Sequence, residues 1–323
     1  MKNRTIEEIL GDARRIAISG HIRPDGDCAG SGMALYHYLR DNRLAETVDI
    51  YLGELPKSFE FLEGIEEIRH QLPSSRKPYD LFFCLDCADK KRLEFSAPLF
   101  EEAKRRCCID HHISQGVFTE EAYVDQEASS TAELVYRLLD PEKISKRAAE
   151  ALYLGIIHDT GVFQYPCTAP STHRMAAVLL EKGVDAANII QKTYYEKTDK
   201  QNRILGKMLV ESRLLLNGRM IVAGLSKEEM AAFDVRPSDL NGIVSQLRLT
   251  EGVEVAVFYY EFREGGYKVS LRSGDTVDVN LVASAFGGGG HQRAAGLESS
   301  RNLEEILRKL EKEVCRQIGE KAK

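Results

Sequence analysis

The sequence contains no apolar run long enough to cross a membrane, since a spanning helix needs about 20 predominantly apolar residues. Residues 1–8 are polar and lack the apolar core of a signal peptide. We therefore expect a cytoplasmic protein that has no membrane partner.

An excess of positive charge is also missing, because 44 Lys and Arg stand against 50 Asp and Glu and leave a net charge of −6 at pH 7. Proteins that wrap long nucleic acids usually present a basic face, so we expect no long nucleic acid as a partner. A small anionic substrate is still compatible with this charge, because bound metal ions supply positive charge locally.

Cysteine is infrequent, and its seven copies are scattered among apolar segments. An odd number in such positions is typical of reduced, buried thiols and not of a disulfide framework. Cys84 and Cys87 form the single CxxC pattern, and on a strand their side chains would face opposite sides. Without a second CxxC, we do not expect a structural zinc site.

The first half of the chain alternates short apolar segments with helical patterns. Predicted strands cover residues 15–19, 48–52, 81–85 and 107–109, and predicted helices cover 30–39, 131–139 and 147–158. Short strands without polar alternation, separated by helices, indicate a parallel sheet that is buried on both faces. The capping-box spacing of Ser130 and Glu133 marks the start of the second of these helices.

The second half has a different character. Predicted strands at 219–224, 253–260 and 267–272, the last two joined as a hairpin, accompany predicted helices at 239–249 and 303–318. The fold class is therefore α/β, with an N-terminal parallel-sheet domain (1–185), a helical linker (186–207) and a smaller α+β C-terminal domain (208–323). We expect a cleft between the two domains.

Carboxylate and imidazole groups occur in four segments where apolar sequence gives way to turn residues. In open α/β sheets, ligands bind at the carboxyl ends of the strands. Oxygen and imidazole ligands suit Mn²⁺ or Mg²⁺, and two such ions roughly 3.5–4 Å apart clamp a phosphoryl group during in-line attack. The four segments contain His21, Asp25 and Asp27; Asp86; Asp110, His111 and His112; and His158 and Asp159.

A glycine run at residues 287–290 precedes His291 in the second half. Successive glycines allow a positive φ and close approach of the backbone, so their N–H groups can form an anion-binding nest. Arg293 and Arg272 would add donors beside it. The alternative is a tight turn between two helices with a surface histidine. Arg92, after the second motif, is either a phosphate contact or a surface charge.

The four motifs resemble those of the DHH phosphoesterase superfamily. The second half is similar to the associated DHH domain, whose signature matches Gly287 to His291 together with Ser270-Leu-Arg272-Ser273. In length and motif wording the chain is most similar to the bacterial nanoRNase and pAp phosphatase group, which includes relatives that cleave cyclic or linear dinucleotides. The resemblance covers nearly the whole chain.

The resemblance implies two divalent ions, with Mn²⁺ expected first and Mg²⁺ or Co²⁺ as alternatives, and it alone suggests a homodimer. Asp86 would bridge the ions, and His112 would contact the scissile phosphate, so these two residues are the expected catalytic residues. One ion would be held by His21, Asp25 and Asp86, and the other by Asp27, Asp86, His111 and Asp159. The implied substrate-binding residues are Arg272, Ser273, Gly288, Gly289, Gly290, His291 and Arg293, with Arg92 as a weaker candidate.

These expectations lead to one main functional hypothesis, an enzyme that degrades very short oligoribonucleotides to mononucleotides and dephosphorylates 3′-phosphoadenosine 5′-phosphate (pAp). The same residues would serve a phosphodiesterase acting on cyclic di-AMP or its linear product pApA, so this alternative stays open. A nucleotide sensor without catalysis is a remote alternative. A RecJ-like exonuclease would need a basic stripe and a further OB-like domain. A pyrophosphatase or exopolyphosphatase should not need the second domain.

Overall fold

The computed structural model describes residues 4–75, 77–87, 89–112 and 118–321. The chain divides into two compact units, Met1–Glu196 and Lys197–Lys323. The division falls inside the predicted linker, whose bounds stay a prediction. Within the described ranges, every helix is too short or too polar to cross a membrane.

The first unit is built from a six-stranded sheet and seven α-helices in its described part, with short 3₁₀ segments and one π-helical turn at Gln191–Tyr195. The strands are β1 (Arg15–Ser19), β2 (Thr47–Tyr51), β3 (Ile68–Arg69), β4 (Leu81–Leu85), β5 (Arg105–Asp110) and β6 (Glu121–Val124). The helices are α1 (Ile6–Leu10), α2 (Gly26–Asp41), α3 (Ala97–Glu102), α4 (Thr131–Leu138), α5 (Lys146–Asp159), α6 (Pro170–Glu181) and α7 (Ala186–Ile190).

The strand order of this sheet is β3-β2-β1-β4-β5-β6, and every pair is parallel. The predicted parallel α/β architecture is therefore confirmed. After β1 the chain adds β2 and β3 on one side of β1, and it then adds β4, β5 and β6 on the other side. The direction in which strands are added therefore reverses between β1 and β4. In such sheets the crevice at the carboxyl ends of these two strands is the preferred ligand site.

Both faces of the sheet are covered, which explains the absence of polar alternation in the strands. Ile16 and Ile18 of β1 pack into the core beneath α2 and α5, whereas Ala17 between them packs into a second core on the opposite face. In the same way Phe83 belongs to the first core and Phe82 to the second. Predicting these strands from unbroken apolar runs was therefore physically justified.

Helix α2 begins earlier than the sequence pattern predicts. The expected start at residue 30 is wrong, because α2 begins at Gly26 and Asp25 is its N-cap. The Asp25 side chain accepts hydrogen bonds from the N–H groups of Asp27 and Cys28, both at 3.1 Å. A cap of this kind satisfies amides that have no partner inside the helix. Asp27 therefore lies in the first turn of a helix and not in a free turn.

Cys84 and Cys87 do not lie on one strand, so the expectation for a strand does not apply to them. Strand β4 ends at Leu85, and Asp86 then adopts a positive φ of 54°, a left-handed conformation that is uncommon for a residue other than glycine. This turn returns Cys87 to the face that Cys84 occupies, and both side chains pack into the same core. Burial, and then the neighbouring thiols of Cys108 and Cys87, raise the pKa of Cys84 well above its ordinary value.

The second unit contains a mixed sheet of order β11-β12-β10-β9-β8-β7, in which only β8 and β9 among the described pairs are parallel. Its strands are β7 (Arg213–Leu215), β8 (Met220–Leu225), β9 (Val255–Arg263), β10 (Gly266–Ser273), β11 (Gly289–His291) and β12 (Ala294–Ser299). Its helices are α8 (Asp199–Glu211), α9 (Lys227–Ala232), α10 (Ile243–Arg248), α11 (Val279–Ser284) and α12 (Leu303–Lys321). The predicted α+β character is confirmed.

Two local expectations in this unit have different outcomes. The hairpin is confirmed, since β9 and β10 are antiparallel and pair up to Arg263 and Gly266. The single helix expected over 239–249 is wrong. A 3₁₀ turn ends at Leu240, and Gly242 with a φ of 84° then starts α10. A left-handed residue interrupts an α-helix, so the apolar pattern continues through two separate elements.

Close packing of α2 on α5 generates the first prediction. A methyl group at Gly30 would lie 2.5 Å from the carbonyl oxygen of Ala151, a backbone atom that cannot move aside cheaply. We expect Gly30→Ala to destabilise the fold by about 1–3 kcal/mol, the usual cost of overpacking. Urea denaturation followed by circular dichroism measures this change.

Gly206 in α8 is the matched control, because nothing lies within 4 Å of a methyl group at that position. Gly206→Ala should stabilise its helix by roughly 0.5–1 kcal/mol. Equal effects of the two substitutions would contradict the packing argument.

Candidate metal centre

The first motif follows β1 directly and supplies a buried imidazole. His21 is 5% exposed, and its Nδ1 lies 2.7 Å from the carbonyl oxygen of Ile22. A carbonyl oxygen can only accept, so Nδ1 carries the proton and donates it. Nε2 then faces the Asp86 carboxylate at 3.3 Å. This hydrogen bond fixes the ring so that Nε2 is the metal-binding nitrogen.

Asp86 lies at the centre of the site and is 1% exposed. Its Oδ2 is near His21, while its Oδ1 is 3.3 Å from His112 Nδ1 and 3.8 Å from His111 Nε2. The Thr131 hydroxyl donates to the same Oδ1 at 3.1 Å. Asp86 therefore stands between His21 on one side and His111 and His112 on the other, which is where a carboxylate shared by two ions would have to be.

Asp27 is held by the start of helix α4. It is completely buried, and its two carboxylate oxygens accept hydrogen bonds from the N–H groups of Thr131 and Ala132 at 2.7 and 2.9 Å. The amino end of a helix favours a negative charge. Even so, burial and then repulsion from Asp159 and Asp86 raise the pKa of Asp27 well above its ordinary value.

His111 and Asp159 complete a second group around Asp27. His111 Nε2 lies 2.9 Å from Asp159 Oδ2 and 3.9 Å from Asp27 Oδ2. Despite these short distances, this buried nitrogen makes no hydrogen bond of acceptable geometry with any residue that the structure describes. Side chains have short distances without hydrogen bonds when they point toward a common centre and not at one another. The geometry of His111, Asp27 and Asp159 therefore fits a metal ion between these three side chains.

His112 is oriented by its neighbour in the triplet. Its Nδ1 lies 2.8 Å from Asp110 Oδ1, and its backbone N–H donates to the same oxygen at 3.0 Å. Hydrogen bonds with Asp110 and Asp86 raise the pKa of His112 to about 11, so its ring is protonated at neutral pH. A fixed cationic ring suits contact with a phosphoryl oxygen.

The charge balance of the cluster favours cations. Asp25, Asp27, Asp86 and Asp159 converge here, and among the described residues none of the four pairs with Lys or Arg. Burial lowers the pKa of His21, but hydrogen bonds with Asp25 and Asp86 outweigh it and raise that pKa to about 10. Closely spaced carboxylates that have imidazoles as their cationic partners are suitable ligands for divalent ions.

Three groups of potential ligands in the described ranges have donor atoms within 4.8 Å of one another. They are His21, Cys28 and Asp86; Asp86, His111 and His112; and Asp27, His111 and Asp159. The structure thus brings the side chains of all four sequence motifs together around Asp86, although their roles as ligands stay a prediction.

Two contributions to the site have no signal in the sequence. The capping box at Ser130 marked the start of α4, but nothing in the sequence connected that helix end with Asp27 and Asp86. Cys28, which the sequence indicates only as a buried thiol, lies next to His21 and Asp86. The backbone of Arg92 lies next to the His21 segment. The Arg92 carbonyl oxygen accepts a hydrogen bond from the N–H of Ile22 at 2.7 Å.

The predicted substrate-binding residues of the second unit lie at one end of its sheet. Arg272 of β10 and His291 of β11 are both opposite Ala294 of the intervening strand β12. The Ser273 N–H donates to the carbonyl oxygen of Arg293 at 3.1 Å. The side chain of His291 lies outside the described residues. The Arg293 guanidinium forms an ion pair with Asp275.

The structure contradicts one of the two readings of the glycine run, the turn between two helices. The run leads from α11 into β11, so it is not a turn between helices. The N–H of Gly288 donates to the Ala283 carbonyl oxygen at 3.0 Å, and that of Gly290 donates to Asn280 Oδ1 at 2.9 Å. These amides are therefore already used. A methyl group at Gly288 would lie 2.3 Å from the Gly296 carbonyl oxygen, so packing of β11 on β12 also requires glycine here.

Comparison with known proteins agrees with both halves of the fold. Residues 15–156 match the N-terminal domain of the DHH family, and residues 217–315 match the DHHA1 domain. The chain is 30% identical over 291 residues to a probable bifunctional oligoribonuclease and PAP phosphatase NrnA of Streptococcus mutans, covering 88% of this chain and 89% of that protein.

Two further relatives are informative. A crystal structure of an exopolyphosphatase-related protein from Bacteroides fragilis has a TM-score of 0.87 and 29% identity, and the match covers 96% of this chain and 94% of that one. The cyclic-di-AMP phosphodiesterase GdpP of Bacillus subtilis is 27% identical over 324 residues, which cover 94% of this chain but 48% of GdpP.

The Thr131 hydroxyl generates a prediction about the centre. Thr131→Val keeps the shape of the side chain but removes the donor to Asp86 Oδ1, so this carboxylate loses a fixed orientation. We expect the affinity for a divalent ion, titrated as Mn²⁺, to fall about 10–100-fold, the usual effect of removing a group that orients a metal ligand. Isothermal titration calorimetry on metal-free protein measures this.

Thr131→Ser retains the hydroxyl and is the matched control, which should bind Mn²⁺ nearly as tightly as the wild type. Equal losses in the two variants would attribute the effect to helix packing and not to the hydrogen bond.

Proposed function

This chain belongs to the DHH family and is a metal-dependent phosphoesterase, and from this premise we propose that it degrades very short oligoribonucleotides to mononucleotides and dephosphorylates pAp. The observation that carries the proposal is the position of Asp86 between His21 on one side and His111 and His112 on the other. The similarity to an oligoribonuclease and PAP phosphatase over 88% of the chain supports the choice of substrate.

Two divalent ions, Mn²⁺ in our proposal, would be held by the aspartates and histidines around Asp86. His21, Asp25 and Asp86 would hold one ion, and Asp27, Asp86, His111 and Asp159 the other. When bound, such ions lower the pKa of water and neutralise charge on the phosphoryl oxygens. Among the described residues, these carboxylates pair with histidines but not with Lys or Arg, and the His111 nitrogen makes no hydrogen bond, which supports this assignment.

The protein's own groups have separate tasks in this proposal. Asp110 holds the ring of His112, whose protonated imidazole donates to an oxygen of the scissile phosphate and balances its charge in the transition state. The N–H groups at the start of α4 fix Asp27, and Thr131 fixes Asp86. Because these groups are oriented before substrate binds, little reorganisation accompanies the reaction.

For the second unit we propose a role in binding the part of the substrate that is not cleaved. Arg272 and His291 occupy the same level of the sheet on either side of β12, next to the Ser273–Arg293 backbone contact. An arginine and a histidine at the same level of a sheet are residue types that suit a terminal phosphate or a nucleotide. A limited binding surface of this kind favours substrates of a few nucleotides.

A second candidate is a phosphodiesterase for cyclic or linear dinucleotides. The similarity to the cyclic-di-AMP phosphodiesterase GdpP over 94% of this chain supports it, and the same ligand set would perform the chemistry. The two candidates differ in substrate and not in mechanism, so direct competition between substrates separates them.

The test of the proposed function is a Mn²⁺-titrated assay of pApA, cyclic di-AMP, pAp and an RNA of about 24 nucleotides, compared by kcat/KM. We expect release of mononucleotide from pApA and of phosphate from pAp, with the long RNA at least about tenfold slower. Preference for cyclic di-AMP would establish the second candidate. Preference for the long RNA would refute both.

Asp86→Asn is the control for this assay. It keeps the size of the side chain but removes the negative charge that the two proposed metal sites share. All four substrates should therefore remain intact. Any activity that survives in this variant would come from a contaminating nuclease.

His291→Ala tests the division of tasks between the units. We expect KM for pApA to rise about tenfold or more, the usual loss for a hydrogen bond to a charged group, while Mn²⁺ affinity stays unchanged. Calorimetry with Mn²⁺ and steady-state kinetics measure the two quantities separately. His70→Ala, which removes a histidine of the first unit outside all four motifs, is the control. A loss of Mn²⁺ binding in His291→Ala would contradict the assignment.

A further inference from the structure

The carboxylate of Asp25, a proposed metal ligand, also caps helix α2. Its Oδ1 caps helix α2 by accepting from two backbone N–H groups at 3.1 Å, and the same oxygen lies 3.7 Å from His21 Nε2. None of the three compact ligand groups formed by the described residues contains Asp25. In the group around His21, the partners are Cys28 and Asp86, and all three residues are buried.

The sulfur of Cys28 reaches this position because of where α2 begins. Cys28 lies in the first turn of α2, one residue after Asp27, so its side chain is near the end of β1. Gly20 leaves room for it, since a methyl group there would lie 2.3 Å from Sγ. In the described part of the chain, its hydrogen-bonding contact is a long one of 3.9 Å to the His21 carbonyl oxygen.

The chemistry of the two donor sets differs. Nitrogen and oxygen donors from His21, Asp25 and Asp86 suit hard ions such as Mn²⁺ and Mg²⁺. Replacing the Asp25 oxygen by sulfur gives one nitrogen, one sulfur and one oxygen donor. Three protein ligands of this mixture, with an open fourth position, suit zinc or cobalt in tetrahedral coordination.

We propose that Cys28 is a sulfur ligand which, together with His21 and Asp86, binds a borderline-soft divalent ion such as Zn²⁺ or Co²⁺. This inference rests on the proposed function, because the position is the one proposed for the first Mn²⁺ ion. Both donor sets use His21 and Asp86, so the soft and hard ions exclude one another. Cys28 thereby determines which metals compete for the centre.

The test is the absorption spectrum of the metal-free protein titrated with Co²⁺. Wild-type protein should develop a sulfur-to-cobalt charge-transfer band in the near ultraviolet, and Cys28→Ser should not. Cys107→Ser is the matched control: it replaces an equally buried thiol in the core beneath β5, outside the ligand groups, and should keep the band. A band that persists in Cys28→Ser would overturn the proposal.

Metal affinities give a second, independent measurement. In Cys28→Ser the Zn²⁺ affinity, measured by competition with a chromophoric chelator, should fall more than about tenfold. The Mn²⁺ affinity should change by less than about threefold, because the hard donor set is intact. Parallel loss of both affinities would indicate general damage to the site and would contradict a specific role for sulfur.

X-ray absorption on the wild-type protein loaded with one equivalent of Zn²⁺ needs no variant. A zinc–sulfur shell at about 2.3 Å is expected, and a shell of nitrogen and oxygen alone would refute the proposal even if Cys28→Ser does not fold. Mn²⁺-dependent cleavage of pApA by the wild type is measured separately. Its absence would refute the proposed function, whereas a missing zinc–sulfur shell would refute only the role of Cys28.

Discussion

Burial of the Asp27 and Asp86 carboxylates is the constraint on which the rest of the first unit depends. Moving a carboxylate out of water costs several kcal/mol unless donors or cations compensate it. The start of α4 supplies two amides and one hydroxyl, and His21, His111 and His112 supply imidazoles. Helix α4 must therefore begin at Thr131, because a shift of one residue would take these donors away.

The topology explains why groups so distant in sequence share one centre. His21 follows β1 and Asp86 follows β4, and these strands are neighbours although about sixty residues separate them. The triplet at the end of β5 lies one strand further along the same edge. The order reversal between β1 and β4 leaves the crevice open there, since the connecting helices lie on the faces of the sheet.

Much of the first unit followed from the sequence because its signals are local. Unbroken apolar runs gave β1, β4 and the core of β5, and turn-terminated polar motifs gave the candidate ligands. The early start of α2 was missed because Pro24 and Gly26 look like a turn, whereas proline and glycine also fit next to an N-cap. The turn at Asp86 was missed because a left-handed aspartate has no sequence signature.

The second unit was harder to predict for a different reason. Its short strands β7, β11 and β12 form by pairing, β7 with β8 and β11 with β12, and their own sequences have little strand character. Glycines 288–290 suggested freedom of the backbone, yet the structure uses two of their amides internally and uses the missing side chains for close packing. A glycine run indicates that backbone comes close to something, but it does not say whether that is ligand or protein.

The converging carboxylates also connect the stability of the protein with its surroundings. Asp27, Asp86 and Asp159 repel one another in the folded chain but separate when it unfolds, so an ion that binds between them binds the folded state alone. By mass action, the melting temperature should then rise with the logarithm of the free ion concentration. The same aspartates would make a cell's supply of divalent ions a determinant of how long each molecule stays folded.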